Sequence, residues 1–207
     1  MNNQHAILIT GGTGQVGFEL HRRLMAYGKI TAPTRHELDL ANADAVEKWL
    51  TSHRPSLIIN AAAYTAVDRA ETERQAATRL NAELADYCKR QDALLIHYSS
   101  DYVYPGNGQT PWEETSQTAP PLSHYGQTKL QGDLAIQHAD IYHLIFRTSW
   151  VYSARGHNFM KTMLRLGQDR DSLNVVNDQI GAPTPARLIA DITALALSAP
   201  TESAKRV

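Results

Sequence analysis

Apolar residues in this chain follow two alternating patterns. Short unbroken runs are separated by longer stretches in which apolar positions recur every three or four residues. The runs Ala6-Ile7-Leu8-Ile9, Leu57-Ile58-Ile59-Asn60, Ala93 to Tyr98 and Ile141 to Phe146 read as buried strands, with a weaker one from Lys29 to Pro33. The longer stretches read as helices. These are Gly14 to Tyr27 with Val16, Leu20, Leu24 and Met25 inward, Ala41 to His53 with Val46, Trp49 and Leu50 on one side, Ala70 to Gln91, Ser123 to about His138, and Ala186 to Leu197. Residues 104–123, rich in Gly, Pro, Ser and Thr, read as a loop. Strand and helix in alternation predict an α/β fold, a Rossmann-type doubly wound parallel sheet. In such a sheet ligands sit outside the carboxyl ends of the strands.

Composition narrows the function classes. A chain of 207 residues, 43% apolar, can build a sizeable core and is short for two domains. A net charge of −1 gives no electrostatic footprint for nucleic acid. The single cysteine, Cys88, excludes a disulfide within the chain, which suits a reducing compartment such as the cytoplasm. No basic group is suggestively placed around it, so it reads as a buried spectator rather than a nucleophile. No apolar run reaches roughly 18 residues, so no membrane span is expected. Met1-Asn2-Asn3-Gln4-His5 lacks the basic-then-apolar order of a secretory leader. The nine histidines show no metal-ligand spacing.

Two motifs carry chemistry. Thr10-Gly11-Gly12-Thr13-Gly14-Gln15-Val16-Gly17 follows the first strand run and opens the first helix. Gly11 allows a tight turn, Gly14 lets backbone approach a pyrophosphate at the helix N-terminus, and Gly17 lets the helix pack close to the sheet. In this strand–loop–helix setting the spacing predicts nucleotide binding. The end of the second strand reports on the cofactor, because an acid there holds the ribose 2′-hydroxyl of NAD. Here Ala32-Pro33-Thr34-Arg35 has no acid, and Arg35 is available for a 2′-phosphate, which favours NADPH with NADH possible. Asp39 has two readings, an adenine contact or a cap for the next helix.

The second motif is Tyr125-Gly126-Gln127-Thr128-Lys129, which puts a phenol and an ammonium one helical turn apart on one face. An ammonium beside a phenol favours phenolate, so the spacing predicts a Tyr125 pKa drawn down. A tyrosine so tuned can give a proton to a carbonyl while a nicotinamide gives a hydride. Alone, this spacing belongs to many ordinary exposed helices, and the glycine loop upstream gives it meaning.

These stretches resemble the extended short-chain dehydrogenase/reductase family. The resemblance also runs through Asn60-Ala61-Ala62-Ala63-Tyr64-Thr65-Ala66-Val67-Asp68, His97-Tyr98-Ser99-Ser100-Asp101-Tyr102-Val103, Arg147-Thr148-Ser149-Trp150-Val151-Tyr152 and Asn177-Asp178-Gln179-Ile180-Gly181-Ala182-Pro183-Thr184. The last two are specific to a subgroup that reduces the 4-keto group of dTDP-6-deoxyhexoses, giving dTDP-L-rhamnose for cell-surface polysaccharides. The resemblance implies that Tyr125 is the proton donor, that Lys129 binds the nicotinamide ribose and tunes Tyr125, and that Ser100 bonds the keto oxygen or the tyrosine. It implies sugar-nucleotide contacts from Ser100, Asp101 and Trp150, and a cofactor lining of Gly14, Gln15, Val16, Asp39, Leu40, Ala63, Tyr64, Thr65 and Tyr98. For Trp150 the competing reading is a core tryptophan. A homodimer is a further implied partner.

The family is longer than this chain. The division expected is a NAD(P)-binding domain over residues 1–150 and the start of an incomplete substrate-binding region over residues 151–207. The family has also been associated with Mg²⁺ held by acids at a dimer interface. Glu19 is suitably placed, but Arg187 stands near where a second acid belongs, and a guanidinium cannot coordinate a cation. No metal is assigned. Two other readings stay open: a non-catalytic NADP-binding regulatory subunit, like that of methionine adenosyltransferase, and a related nucleotide-sugar reductase or epimerase. Loss of Tyr125 or Ser100 would have favoured the regulatory reading.

Overall fold

The computed structural model describes residues 5–62, 70–108 and 110–199, with backbone alone for 70–77. Five parallel strands form one sheet: β1 (His5–Thr10), β2 (Gly28–Thr31), β3 (Leu57–Asn60), β4 (Leu94–Ser100) and β5 (His143–Thr148). Their spatial order is β2-β1-β3-β4-β5, so the chain reverses its direction of travel between β1 and β3. That reversal opens a crevice at the carboxyl ends of β1 and β3, where doubly wound sheets take ligands.

Strand residues alternate between two apolar layers. Ile7, Ile9, Leu57, Ile59, Ile96 and Tyr98 point to one face. Leu8, Ile58 and Leu95 point to the other. The second face is covered by α2 (Ala43–His53), α3 (Ala70–Gln91) and α4 (His124–Gln137), through Val46, Leu50, Leu84, Cys88 and Ile136. The first is covered by α1 (Gln15–Arg23) and α6 (Ala186–Ser198), through Leu20, Ile189, Ala190 and Ala194. Cys88 is buried and its thiol is pushed up to about 12 by desolvation, as a spectator should be.

Local chemistry sets the boundaries. Asn42 caps α2 by accepting from the Ala45 amide at 3.1 Å, and Arg54, with φ 45°, ends it before Pro55. α1 is shorter than its apolar pattern predicts. It stops at Arg23, so Leu24 is buried as the cap residue while Met25 falls beyond the helix, 65% exposed, and not inward. β4 runs two residues past the expected Tyr98, which carries Ser99 and Ser100 to the sheet's carboxyl edge.

Beyond β5 lie a two-stranded parallel ribbon, β6 (Val151–Tyr152) with β7 (Thr184–Pro185), and the helix α5 (Phe159–Asp169), neither expected from the sequence. α6 packs on α1 and the sheet. Its Leu188, Ile192 and Leu195 remain exposed on the opposite face.

Candidate active site

A cleft of about 810 Å³ opens over the carboxyl ends of β1, β3, β4 and β5. Its floor is the glycine loop. Gly11 has φ +68°, and a Cβ there would meet the Ala61 carbonyl oxygen at 2.7 Å, so only glycine lets β1 turn this close to the end of β3. Gly14 closes the turn by donating its amide to the Gly11 carbonyl at 2.9 Å. It is also the N-cap of α1 and has no side-chain cap, so the first amides of the helix are free for an anion. Gly17 has a different job from the one expected. A Cβ there would lie 2.2 Å from the Gly11 carbonyl oxygen, so it admits the loop's own backbone, not the sheet.

Gln15 and Val16 line the cleft. The Gln15 side chain is also engaged with the segment after β6. Its Oε1 accepts from Asn158 Nδ2 at 2.9 Å and from Ser153 Oγ at 3.2 Å, which pins that segment beside the loop. At the end of the cleft beyond β2, Arg35, Asp39 and Leu40 line the wall. Asp39 accepts from the Ala41 amide at 3.1 Å, while the cap of α2 is Asn42, so the capping reading of Asp39 gives way. Glu37, overlooked in the sequence, is a carboxylate just beyond β2. It turns back to accept from the Thr34 amide and hydroxyl at 2.7 and 2.9 Å, which holds its pKa down and keeps it occupied.

The catalytic candidates meet at the far end. Ser123 caps α4 by accepting from the Gly126 amide at 3.0 Å, setting Tyr125 in the first turn. Ser100 ends β4 and accepts from the Tyr102 amide at 3.2 Å, starting a short 3₁₀ turn, Asp101–Val103. The Tyr125 ring meets Tyr102 edge-on, centroids 5.9 Å apart. Tyr125, Lys129, Ser100, Asp101 and Trp150 all line the cleft, as does Tyr98. The Tyr98 hydroxyl points away, 2.7 Å from Thr193 in the core, and its backbone carbonyl accepts from Lys129 Nζ at 2.8 Å.

Tyr125's pKa moves opposite to the expectation. Burial pushes it up first and the nearby Asp101 carboxylate adds to this, against a smaller pull down from Ser100. The Lys129 ammonium is turned to the Tyr98 carbonyl. A phenol held protonated is a loaded proton donor, so the change of sign suits an acid in the reductive direction. Lys129 itself is lowered by burial.

The rim of the cleft around Ser100 is tied together. Asp101 accepts from Ser100 Oγ at 3.0 Å and from Ser149 Oγ at 2.7 Å. Trp150 has φ 45°, rare for a non-glycine residue, and is 41% exposed at the cleft, so it is no core tryptophan. Its indole rests against Gly181, where a Cβ would fall 2.8 Å from the ring. That packing accounts for the Gly181 of the Asp178-Gln179-Ile180-Gly181-Ala182-Pro183-Thr184 stretch. Ala63, Tyr64 and Thr65 lie outside the described residues. Among the described residues no group of three or more His, Cys, Asp or Glu converges as a metal site. No described helix is long and apolar enough to cross a membrane.

The family model described as RmlD substrate binding domain matches residues 5–207. The dTDP-4-dehydrorhamnose reductase of Escherichia coli (strain K12) is 51% identical over 199 residues, which cover 92% of this chain and 66% of that protein. The Burkholderia thailandensis protein of the same name is 46% identical, covering 93% and 65%. Among solved structures, a Bacillus anthracis dTDP-4-dehydrorhamnose reductase in complex with NADP superposes with TM-score 0.86 at 34% identity, covering 94% of this chain and 71% of that one. A Clostridium acetobutylicum dTDP-4-dehydrorhamnose reductase gives TM-score 0.85 at 34% identity. The chain thus spans just under two thirds of the length of the curated relatives it matches. With its glycine loop, its Tyr125–Lys129 pair and a match along nearly its whole length, the chain belongs to the dTDP-4-dehydrorhamnose reductase family of extended short-chain dehydrogenase/reductase fold.

Proposed function

We propose that this protein is an NADPH-dependent reductase of the 4-keto group of dTDP-4-dehydro-6-deoxy-L-mannose, forming dTDP-L-rhamnose. The carrying observation is the convergence of Tyr125, Lys129 and Ser100 at one end of a cleft whose other end is an uncapped helix N-terminus behind a glycine loop. That cradle fits a dinucleotide: a Cβ at Gly11 or Gly17 would strike backbone, and the free amides of α1 suit a pyrophosphate. A bound nicotinamide supplies the hydride. Tyr125 delivers its hydroxyl proton to the keto oxygen, Ser100 orients that oxygen, and Lys129 holds the ribose. Asp101 and Trp150 contact the sugar nucleotide. Residues 1–150, with α6 from beyond them, form the cofactor body, and residues 151–185 begin the substrate side. A cytoplasmic location fits a nucleotide-sugar substrate and a free thiol.

The test is NADPH consumption with dTDP-4-dehydrorhamnose, beside a cofactor-binding titration. Turnover with a dTDP-rhamnose product supports the reading. Binding without turnover overturns it and leaves the regulatory NADP-binding protein and the related nucleotide-sugar reductase or epimerase as the readings.

Cofactor preference is a second expectation. Arg35 lines the cleft, makes no side-chain bond among the described residues, and Glu37 is turned away to Thr34. NADPH should therefore bind more tightly than NADH, and Arg35→Ala should shrink that gap. Equal dissociation constants for the two cofactors, unmoved by Arg35→Ala, would show that the 2′-phosphate is read elsewhere.

A further inference from the structure

Trp150 holds a backbone conformation that its side chain opposes. Its φ of 45° lies in the left-handed region, which bulky residues rarely enter. The other described non-glycine residues with positive φ are Arg54, Asp92 and Asp140, each shortly after a helix, where a left-handed residue turns the chain. Trp150 instead follows the strand β5 and stands at the cleft. Backbone strain at a cleft persists when the surrounding structure holds it, and it points to function.

The segment that returns to the cleft after α5 does the holding. Thr184 of β7 pairs with Val151 of β6, and the Thr184 amide donates to the Trp150 carbonyl at 3.3 Å. Those contacts fix the backbone and leave the ring to be placed. Gly181 places it. In the run 178–183 it is the one residue that is not exposed. A Cβ there would lie 2.8 Å from Trp150 Cε2 and 3.1 Å from Cδ2. Both atoms belong to the fused bond in the middle of the indole, so clearing a methyl group means tilting the whole ring, not bending a flexible tip. The same Cβ would come 3.0 Å from Ser149 Oγ, the hydroxyl that donates to Asp101 Oδ2 at 2.7 Å.

Conformation does not require glycine here. The glycines with positive φ are Gly11, Gly106 and Gly156, and Gly181 is not among them. An alanine at 181 meets no left-handed strain, and it narrows the unfolded ensemble. What glycine supplies is space, and that space is taken by the Trp150 ring and the Ser149 hydroxyl.

We propose that Gly181 is the positioning residue for Trp150. By carrying no side chain it seats the indole at the cleft wall and leaves Ser149 on Asp101, so one backbone position sets two contacts of the rim. The kinetic arm of the test rests on the reductase reading; the spectroscopic arm does not.

The experiment compares Gly181→Ala, Trp150→Ala and the double variant. Gly181→Ala should raise KM for dTDP-4-dehydrorhamnose about tenfold, with kcat within about threefold of the parent and NADPH affinity unchanged. Contacting residues couple, so Gly181→Ala should add little once Trp150→Ala has removed the ring. An equal rise in KM with and without the indole overturns the proposal, and so does an unchanged KM in Gly181→Ala. The second arm labels the three tryptophans with 5-fluorotryptophan and reads ¹⁹F NMR, Trp150 being the resonance lost in Trp150→Ala. Gly181→Ala should move that resonance and leave those of Trp49 and Trp112 in place. A Trp150 resonance unmoved in folded Gly181→Ala overturns the proposal. Absence of turnover beside a moved resonance would sink the reductase reading and leave the positioning of Trp150 standing.

Discussion

Tyr125→Phe is expected to cut reductase turnover by about 10²- to 10⁴-fold, the usual worth of a general acid, with NADPH affinity nearly unchanged. The ring keeps its edge-on contact with Tyr102, so the substitution removes a hydroxyl without reshaping the cleft. Because burial and Asp101 hold the Tyr125 pKa up, the hydroxyl carries its proton through the neutral range, and the parent should lose reductive activity only on the alkaline side. Steady-state kinetics with NADPH and the dTDP-keto-sugar, run beside cofactor titration, check this. Turnover within about threefold of the parent would remove Tyr125 from the acid role.

Gly126→Ala should do nearly as much damage without touching a reacting group. A Cβ at position 126 would lie 2.3 Å from the Tyr102 carbonyl oxygen and 2.8 Å from Pro121 Cβ. Neither neighbour is a flexible side-chain tip, so the first turn of α4 and the 3₁₀ turn must separate. That separation carries Tyr125 away from Ser100. A displacement near 1 Å at reacting groups costs on the order of 10² in rate. The expected result is a kcat lowered by roughly that factor, with the far end of the cleft, where Arg35 and Asp39 sit, unaffected. Retention of parental kcat would mean that α4 yields without moving Tyr125.

Much of this was legible in the chain because the signals are local. The strand runs, the glycine loop and the Tyr125–Lys129 spacing each lie within a few consecutive residues, and their periods of two and 3.6 set which faces are buried. What was not legible depends on residues distant in sequence. The direction of the Tyr125 shift comes first from burial under the assembled cleft and then from Asp101, on the turn after β4. The role of Gly17 depends on where the Gly11 carbonyl ends up. A network of Thr10, Asn60, Asn81, His97, Asp133 and Arg147 joins six elements and has no spacing of its own. α5 was missed although its signal is local: Phe159, Met160, Met163, Leu164 and Leu166 recur at helical spacing behind the Asn158 cap. The β6–β7 ribbon is two residues per strand, too short for any alternation to register.

The chain's single thiol has a practical consequence. Cys88 sits on α3 between α2 and the sheet, 1% exposed, with its ionisation suppressed. A thiol-specific reagent can reach it only after that helical layer lifts from the strands, and no second cysteine competes for the label. The rate of Cys88 modification in native buffer therefore clocks opening of the α2–α3 layer directly, and its dependence on added NADPH measures how firmly an occupied cleft on the sheet's edge clamps the layer beneath it.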